Sequence, residues 1–161
     1  MRVKPPLVQP GQRIGVMGGS HGGASTLATM AAVRGTGSGI ESFAAAVALY
    51  PACGGAPGVS EGAIYRPSAP LLILIGEKDD WTPAEPCRRL AEAARAAGYP
   101  VSIKIYPGAH HSFDSAFPVR YVEARVNATA PNGRGATTGG DPAAWADSIR
   151  EIEAFFGRHL R

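Results

Sequence analysis

Hydrophobic residues occur along the chain in short runs that end at glycine or proline. Residues 13–18, 43–51 and 69–77 form three such runs, and residues 101–107 alternate between apolar and polar positions. Continuous apolar runs of this length are typical of strands covered on both faces, whereas alternation is typical of a half-buried strand. These patterns predict four β-strands.

Helical patterns separate some of these strands. Residues 23–35 have the small and apolar content of a helix that packs on a sheet. Thr82 and Glu85 have the spacing of a capping box, with Pro83 at the first helical position, and Gly98 ends the helix that follows. These signals predict two helices that connect strands.

The last third of the chain combines an irregular region with a final helix. We predict a long irregular stretch at residues 107–140, after which Asp141 and Pro142 begin a helix. The apolar stripe predicted for this helix consists of Trp145, Ile149, Ile152, Phe155 and Phe156. The complete order of strand, helix, strand, strand, helix, strand and helix predicts an α/β fold in which helices flank a mostly parallel sheet.

Length, charge and hydrophobicity limit the functional classes. A chain of 161 residues suffices for one domain, which we assign to residues 1–161. The net charge of +3 comes from scattered arginines rather than from a basic block, so we expect no nucleic-acid partner. No apolar run is long enough for a membrane span, and residues 1–10 lack the apolar core of a signal peptide. We therefore expect no membrane association and a cytoplasmic location.

The chain contains two cysteines, Cys53 and Cys87, whose spacing is not that of a metal site. They could form a disulfide, but two free and partly buried thiols agree better with a reducing compartment. We therefore expect both thiols to be free.

The segment GGSHG, residues 18–22, fits the motif G-x-S-x-G between a predicted strand and a predicted helix. In such a turn a strained serine exposes its hydroxyl, and side chains two residues before and after it would collide, which favours Gly18 and Gly22. The backbone N–H of His21, at the start of the helix, would be one oxyanion-hole donor. Ser20 is thus predicted to be a nucleophile, and a glycine-rich turn with a bystander serine is the alternative.

Two further strand ends carry the groups that a nucleophilic serine requires. Asp79 and Asp80 follow the third predicted strand, and His110 and His111 follow the fourth. Functional groups of an α/β sheet gather at the carboxyl ends of its strands, and the chain order Ser, Asp, His is that of an α/β-hydrolase. Taken singly, each could be a capping aspartate or a solvated histidine. The residues alone leave open which aspartate and which histidine act.

Four segments together resemble the dienelactone hydrolase family of α/β-hydrolases. They are RIGVMGGSHGG, LLILIGEKDDWTP, YPGAHHSFD and GRGATTGGDPAAWADS, and the resemblance covers nearly everything from residue 11 onward. It implies a serine-type or cysteine-type hydrolase of esters or lactones with no metal and no other cofactor.

The resemblance also selects among the candidate residues. Ser20 falls at the family's nucleophile position, where some members have cysteine, and this difference favours general esterase chemistry over a strict dienelactone substrate. The family's carboxylate precedes a proline by four residues, which selects Asp79 through Pro83. Its histidine stands two residues before a phenylalanine, which selects His111 through Phe113.

One departure from the family concerns the start of the chain. Members have several strands before the nucleophile turn and take one oxyanion-hole amide from a loop there, whereas only residues 1–12 precede the first predicted strand here. We therefore expect a fold that lacks the N-terminal strands. An uncovered edge of the strand at residues 13–18 would then favour self-association and marginal stability.

These observations predict an enzyme whose partner is a small-molecule ester or lactone. Ser20 would attack the carbonyl, His111 would accept and return the proton, and Asp79 would orient the imidazole. Two alternatives stay open. One is a serine peptidase similar to the prolyl oligopeptidases, which have a similar G-G-S-x-G-G turn. The other is a fragment without catalytic activity that acts only by association.

Overall fold

The computed structural model describes residues 13–31, 43–54 and 64–161. Its elements, in chain order, are β1 (Gly15–Gly19), α1 (His21–Met30), β2 (Ala45–Leu49), β3 (Leu71–Gly76), α2 (Ala84–Ala96), β4 (Val101–Tyr106), β5 (Arg120–Val126), β6 (Arg134–Thr138) and α3 (Pro142–His159). The predicted order of elements is confirmed except for β5 and β6. Residues 32–35 of the first predicted helix lie outside the described residues.

Strands β1 to β4 form one sheet in the order β1-β2-β3-β4, and every pair of neighbours is parallel. All residues of β2 and β3 are buried, as their continuous apolar runs predict. Since the strands are parallel, their carboxyl ends lie along one edge of the sheet. The α/β fold with a mostly parallel sheet and flanking helices is therefore confirmed.

Strand β1 lies at the end of this sheet. Among the described residues no strand pairs with its other edge, and the side chain of Met17 is half exposed. The predicted self-association concerns this edge and stays a prediction, as does the assignment of residues 1–161 to a single domain.

Residues 107–140 are more regular than predicted. Strands β5 and β6 form an antiparallel two-stranded sheet, with Arg120 opposite Thr138 and Val126 opposite Arg134. Most side chains of β5 are exposed. A strand whose side chains are exposed on both faces has no apolar alternation, and the buried residues of β6 are only a glycine and an alanine, so the pattern of hydrophobic residues could not reveal this ribbon.

The capping box predicted for α2 is wrong. The helix begins at Ala84 with Pro83 at the N-cap, and no side chain caps it. The Thr82 hydroxyl instead lies 3.0 Å from both the carbonyl oxygen of Tyr50 and a carboxylate oxygen of Asp79. The carbonyl oxygen of Tyr50, 32 residues away in the sequence, and the neighbouring Asp79 carboxylate thus take the place of the cap. Gly98, with φ of 86°, ends the helix as predicted.

The last helix begins as predicted, but it is rotated from the predicted orientation. The carboxylate of Asp141 accepts hydrogen bonds from the amides of Ala143 and Ala144, which is an N-cap. Of the predicted apolar stripe, Ile152, Phe155 and Phe156 pack against the core, whereas Trp145 and Ile149 are exposed. Ala144 and Ser148 are buried in their place. Small residues therefore allow the first turns of α3 to approach the rest of the fold closely.

Cys53 and Cys87 form a disulfide, so the expectation of free thiols is wrong. Both residues are buried, and their Cα atoms lie 5.1 Å apart because the first turns of α2 pack against the loop after β2. Disulfides are unusual in a reducing compartment. The cytoplasmic location thus loses the support of free thiols and stays a prediction. No helix in the described ranges combines the length and hydrophobicity that crossing a membrane requires.

We expect the double substitution Cys53→Ala with Cys87→Ala to lower the free energy of unfolding by about 2–4 kcal/mol. The physical reason is that the bond closes a loop across a sequence separation of 34 residues and restricts the unfolded chain. Urea denaturation of the oxidised wild type and the variant measures the difference. Equal midpoints, or free thiols in peptides mapped without reductant, would contradict the prediction.

Candidate active site

Ser20 occupies the sharp turn between β1 and α1. Its backbone has φ of 55° and ψ of −116°, a conformation that costs energy for any residue with a side chain. The Ser20 amide donates a hydrogen bond to the carbonyl oxygen of Leu49, at 2.9 Å, which anchors the turn on β2. Strain of this kind concentrates at functional sites. The structure thus has the strand-to-helix turn predicted from the sequence.

The two glycines predicted to flank this turn differ in their surroundings. A Cβ added at Gly18 would lie 2.5 Å from the backbone of Gly22, so a side chain at Gly18 is excluded. A Cβ at Gly22 meets none of the described atoms within 4 Å, so the expected collision there is wrong. The second crowded position is Gly23, where a Cβ would lie 2.8 Å from the carbonyl oxygen of Leu49. Gly22 fills the space beside Gly18 with its backbone while its own side-chain position faces outward.

Ser20, His111 and Asp79 form one hydrogen-bonded row. Nδ1 of His111 lies 2.8 Å from Oδ2 of Asp79, and Nε2 lies 2.8 Å from Oγ of Ser20. A carboxylate only accepts, so Nδ1–H donates to Asp79 and Nε2 is left to accept from the serine hydroxyl. Asp79 follows β3 and His111 follows β4, and both side chains are buried. Three strand ends thus meet at one point.

The Asp79 carboxylate is held by several donors. Its Oδ1 accepts hydrogen bonds from the backbone amides of Trp81, at 3.0 Å, and Thr82, at 2.8 Å. Its Oδ2 faces His111 and the Thr82 hydroxyl. Backbone amides therefore fix the position of Oδ1, and this directs Oδ2 at the imidazole of His111.

The side chains of Asp80 and His110 form hydrogen bonds outside this row. The Asp80 carboxylate accepts from the amide of Thr137, at 2.7 Å, and from its hydroxyl, at 2.8 Å. Nδ1 of His110 donates to the carbonyl oxygen of Lys78, at 3.0 Å. Asp80 thus ties the hairpin of β5 and β6 to the loop after β3.

Sequence reasoning did not identify two aromatic residues that contact the imidazole. The rings of Tyr50 and Trp81 lie 4.7 Å and 4.8 Å from the ring of His111. Burial, with a smaller contribution from Asp114, raises the pKa of the Tyr50 hydroxyl above its ordinary value. The hydroxyl therefore stays protonated and donates to Asp114, at 2.8 Å. The only signal in the sequence was their position, since Tyr50 lies near the end of the predicted strand at residues 43–51 and Trp81 follows the predicted strand at residues 69–77.

Thr82 is a further positioning residue. Its Oγ1 is 3.0 Å from Oδ2 of Asp79, 3.1 Å from Nδ1 of His111 and 3.0 Å from the carbonyl oxygen of Tyr50. The hydroxyl has one proton to donate. It stabilises the carboxylate when it donates to Asp79, and it links the loop after β3 to the end of β2 when it donates to the carbonyl oxygen of Tyr50.

We expect Thr82→Val to lower kcat for an ester about ten- to hundredfold, the usual consequence of losing a hydrogen bond to a charged group. Valine keeps the shape of threonine but cannot donate. Thr82→Ser retains the hydroxyl and is expected to keep nearly wild-type kcat. Equal losses in the two variants would mean that the methyl group, rather than the hydrogen bond, is what matters.

The amide of His21 is the first of helix α1. The first amides of a helix have no partner within it, and the helix N-terminus favours negative charge. The His21 N–H therefore remains a candidate donor for an oxyanion formed at Ser20. Within the described ranges, no three His, Cys, Asp or Glu residues are grouped so that they could hold a metal ion.

A cavity of about 570 Å³ opens beside Ser20. Its described lining comes from four places: the start of α1, the loop after β2, the segment leading into α2, and the end of the hairpin. Cavities of this size accommodate small organic molecules. The row of Ser20, His111 and Asp79 therefore has room for a substrate next to its hydroxyl.

Solved structures with a similar fold include hydrolases. A provisionally assigned dienelactone hydrolase from Klebsiella pneumoniae subsp. pneumoniae MGH 78578 has a TM-score of 0.57 and 23% identity, and the match covers 91% of this chain and 52% of that one. Thermogutta terrifontis esterase 2 phosphoramylated by tabun has a TM-score of 0.61 and 20% identity, with coverages of 90% and 54%. The same esterase with propionate bound has a TM-score of 0.61 and 19% identity, with coverages of 90% and 55%. The chain spans about half the length of these structures.

A family comparison covers almost the whole chain. Curated protein sequences gave no significant match. Residues 6–159, in contrast, match the family model described as the dienelactone hydrolase family. This range includes the serine turn, both loops that carry the aspartate and the histidine, and all of α3. The chain belongs to the dienelactone hydrolase family.

Proposed function

We propose that the protein is a serine hydrolase that cleaves carboxylic esters or lactones through an acyl-serine intermediate. The observation that carries the proposal is the hydrogen-bonded row of Ser20, His111 and Asp79 beside an open cavity. Membership of the dienelactone hydrolase family supports hydrolysis as the reaction.

The first half of the reaction forms the acyl-enzyme. Oγ of Ser20 attacks the carbonyl carbon while Nε2 of His111 accepts the serine proton. The carbonyl π electrons move to oxygen, and the backbone N–H of His21 stabilises the resulting oxyanion. When the carbonyl re-forms, the bond to the leaving oxygen breaks and His111 returns its proton to that oxygen. An ester releases an alcohol, whereas the alcohol of an opened lactone stays attached to the acyl group.

The second half repeats these steps with water. His111 takes a proton from water as its oxygen attacks the acyl carbon, and the proton then goes to Oγ of Ser20 as the acid leaves. In both halves the Asp79 carboxylate holds the imidazole in the tautomer that can accept at Nε2 and stabilises its charged form. The contacts that hold Asp79 and Thr82 support this role.

Two states of a similar structure are consistent with this chemistry. Thermogutta terrifontis esterase 2 has been solved with propionate bound and after phosphorylation by paraoxon. A carboxylic acid and an organophosphorus group are what a site for acyl transfer to serine would accept. For the present chain, which spans about half the length of that esterase, we extend this to short carboxylic esters.

Labelling with a fluorophosphonate probe tests the proposal. An activated serine displaces fluoride and forms a stable adduct, which peptide mass spectrometry should locate at Ser20. Ser25 provides a matched control, because its hydroxyl is exposed and its one hydrogen bond to the described residues is to the carbonyl oxygen of His21. Ser25→Ala should therefore label like the wild type, and Ser20→Ala should not label.

Other outcomes would favour the alternatives. No adduct on the folded protein would contradict the proposal and favour a fragment without catalytic activity. An adduct at Ser20 together with faster cleavage of peptide amides than of esters would favour a serine peptidase.

A further inference from the structure

We propose that the cavity beside Ser20 selects esters whose acyl group is neutral and apolar. This inference rests on the proposed function, since it names the substrate class of the same site. It starts from the side chains that line the cavity in the described part of the chain. They are mostly small or apolar, and they include Ala24, Ala52, Trp81, Pro83, Pro86 and Val126.

The cavity offers little to a charged or strongly polar group. None of its described lining residues is Asp, Glu, Lys or Arg, and His21 is the one titratable residue among them. The hydroxyl of Thr82 is engaged at Asp79 and Tyr50. A carboxylate that entered would lose its water, and beyond the His21 side chain the described lining offers it no partner, which makes its burial costly.

The second hydroxyl in the lining is engaged as well. Oγ1 of Thr129 lies 2.9 Å from the carbonyl oxygen of Asp80 and 2.7 Å from Oδ1 of Asn127. Apart from Ser20, the described lining therefore has no hydroxyl that is free to donate to a polar substituent.

Contacts with the hairpin of β5 and β6 fix the side chain of Trp81, which forms an apolar wall of the cavity. Nε1 of Trp81 donates to the carbonyl oxygen of Val126, at 3.0 Å, and the guanidinium carbon of Arg125 lies 5.1 Å from the centre of its ring. Arg125 is not among the residues that line the cavity. Its charge is directed at the face of Trp81, where a cation is attracted to the aromatic ring.

The chemistry of the intermediate places the acyl group, rather than the alcohol, beside this wall. After the leaving group departs, the acyl carbon stays bonded to Oγ of Ser20, and its carbonyl oxygen points at the amide of His21. Both residues line the cavity, together with Ala24 one helical turn further along. The remainder of the acyl group therefore extends into the apolar space.

A series of 4-nitrophenyl esters tests this inference, with the acetate, butyrate, hexanoate and glutarate monoester as substrates. We expect kcat/KM to rise about fourfold for each methylene added to the acetate, until the cavity is filled. The glutarate monoester has a carboxylate in the region that the hexanoate fills with an apolar chain. We expect its kcat/KM to be about 100-fold below that of the hexanoate.

A cavity-filling variant and a matched control locate the effect. Ala52→Leu should lower kcat/KM for the hexanoate about tenfold more than for the acetate, because the added side chain occupies the space of a long acyl group. Ala146→Leu places the same side chain at an exposed position of α3, away from the cavity. It should leave kcat/KM for both substrates unchanged.

Fluorophosphonate labelling of the same preparations distinguishes a failure of the proposed function from a failure of the inference about the acyl group. A folded protein that does not label at Ser20 would overturn the proposed function and this inference with it. With labelling intact, a glutarate monoester that reacts as fast as the hexanoate would overturn only the inference. So would an Ala52→Leu variant that behaves like Ala146→Leu. A preference for the glutarate monoester that disappears in Arg125→Gln would show that Arg125 serves substrate rather than Trp81.

Discussion

Alanine in place of Ser20 is expected to abolish turnover of 4-nitrophenyl acetate while the protein stays folded. Without Oγ, nothing remains for His111 to activate, and loss of a serine nucleophile typically lowers kcat by roughly 10⁶-fold. Alanine keeps the Cβ of serine, so the strained turn at φ of 55° should be as stable as before. Initial rates and thermal melting of both proteins are the measurements.

A second substitution at this position separates strain from chemistry. Ser20→Gly should also be inactive, yet it should raise the free energy of unfolding by about 1 kcal/mol relative to Ser20→Ala. Glycine adopts the positive φ of this turn without a steric penalty. Ester turnover that survived either substitution, with no trace of contaminating esterase, would exclude the acyl-serine mechanism.

The sheet and the positions of the candidate residues could be predicted because both depend on local patterns. A buried parallel strand is apolar along its whole length, so β2 and β3 were visible as runs. Because parallel strands end on one edge, residues that follow them must be neighbours, whatever lies between them in the chain. This is why residues as distant in sequence as Ser20 and His111 could be expected to meet.

The choice between neighbouring residues could not be made from local patterns. Asp79 and Asp80 share the same loop and the same chemistry, and only the tertiary structure decides that one faces His111 and the other Thr137. The family resemblance selected Asp79 and His111, a choice that composition and the spacing of strands could not make. The structure places Asp79 and His111, and not their neighbours, in the row with Ser20.

Three of the wrong predictions have a common physical cause, since each depends on a contact with residues that are distant in sequence. The Thr82 hydroxyl lies 3.0 Å from the carbonyl oxygen of Tyr50, 32 residues away, instead of capping α2. Cys53 meets Cys87 only because α2 packs against the loop after β2. Trp145 and Ile149 are exposed because the face that α3 packs against the rest of the fold differs from its apolar stripe. The spacing of apolar residues within one helix does not determine which face is packed.

Substitution of the two neighbouring pairs is expected to separate residues that local sequence patterns could not rank. Only His111 bridges Ser20 and Asp79, with 2.8 Å on each side. His111→Ala should therefore lower kcat/KM by at least about 10⁴-fold. His110→Ala removes a hydrogen bond to the carbonyl oxygen of Lys78 at the surface and should cost less than about tenfold.

Asp79→Asn should cost about 10⁴-fold, and the contacts around Asp79 explain why. The amides of Trp81 and Thr82 both donate to Oδ1, so an asparagine would turn its carbonyl oxygen toward them and its NH₂ toward Nδ1 of His111. The imidazole would then accept at Nδ1 and carry its proton on Nε2, where it cannot take the proton of Ser20.

The matched control is Asp80→Asn, which keeps an oxygen for Thr137 and should lower kcat/KM by less than about tenfold. All four variants are compared by kcat/KM on one ester, with circular dichroism to check the fold. A larger loss at Asp80 than at Asp79, or at His110 than at His111, would mean that the active row is made of different residues.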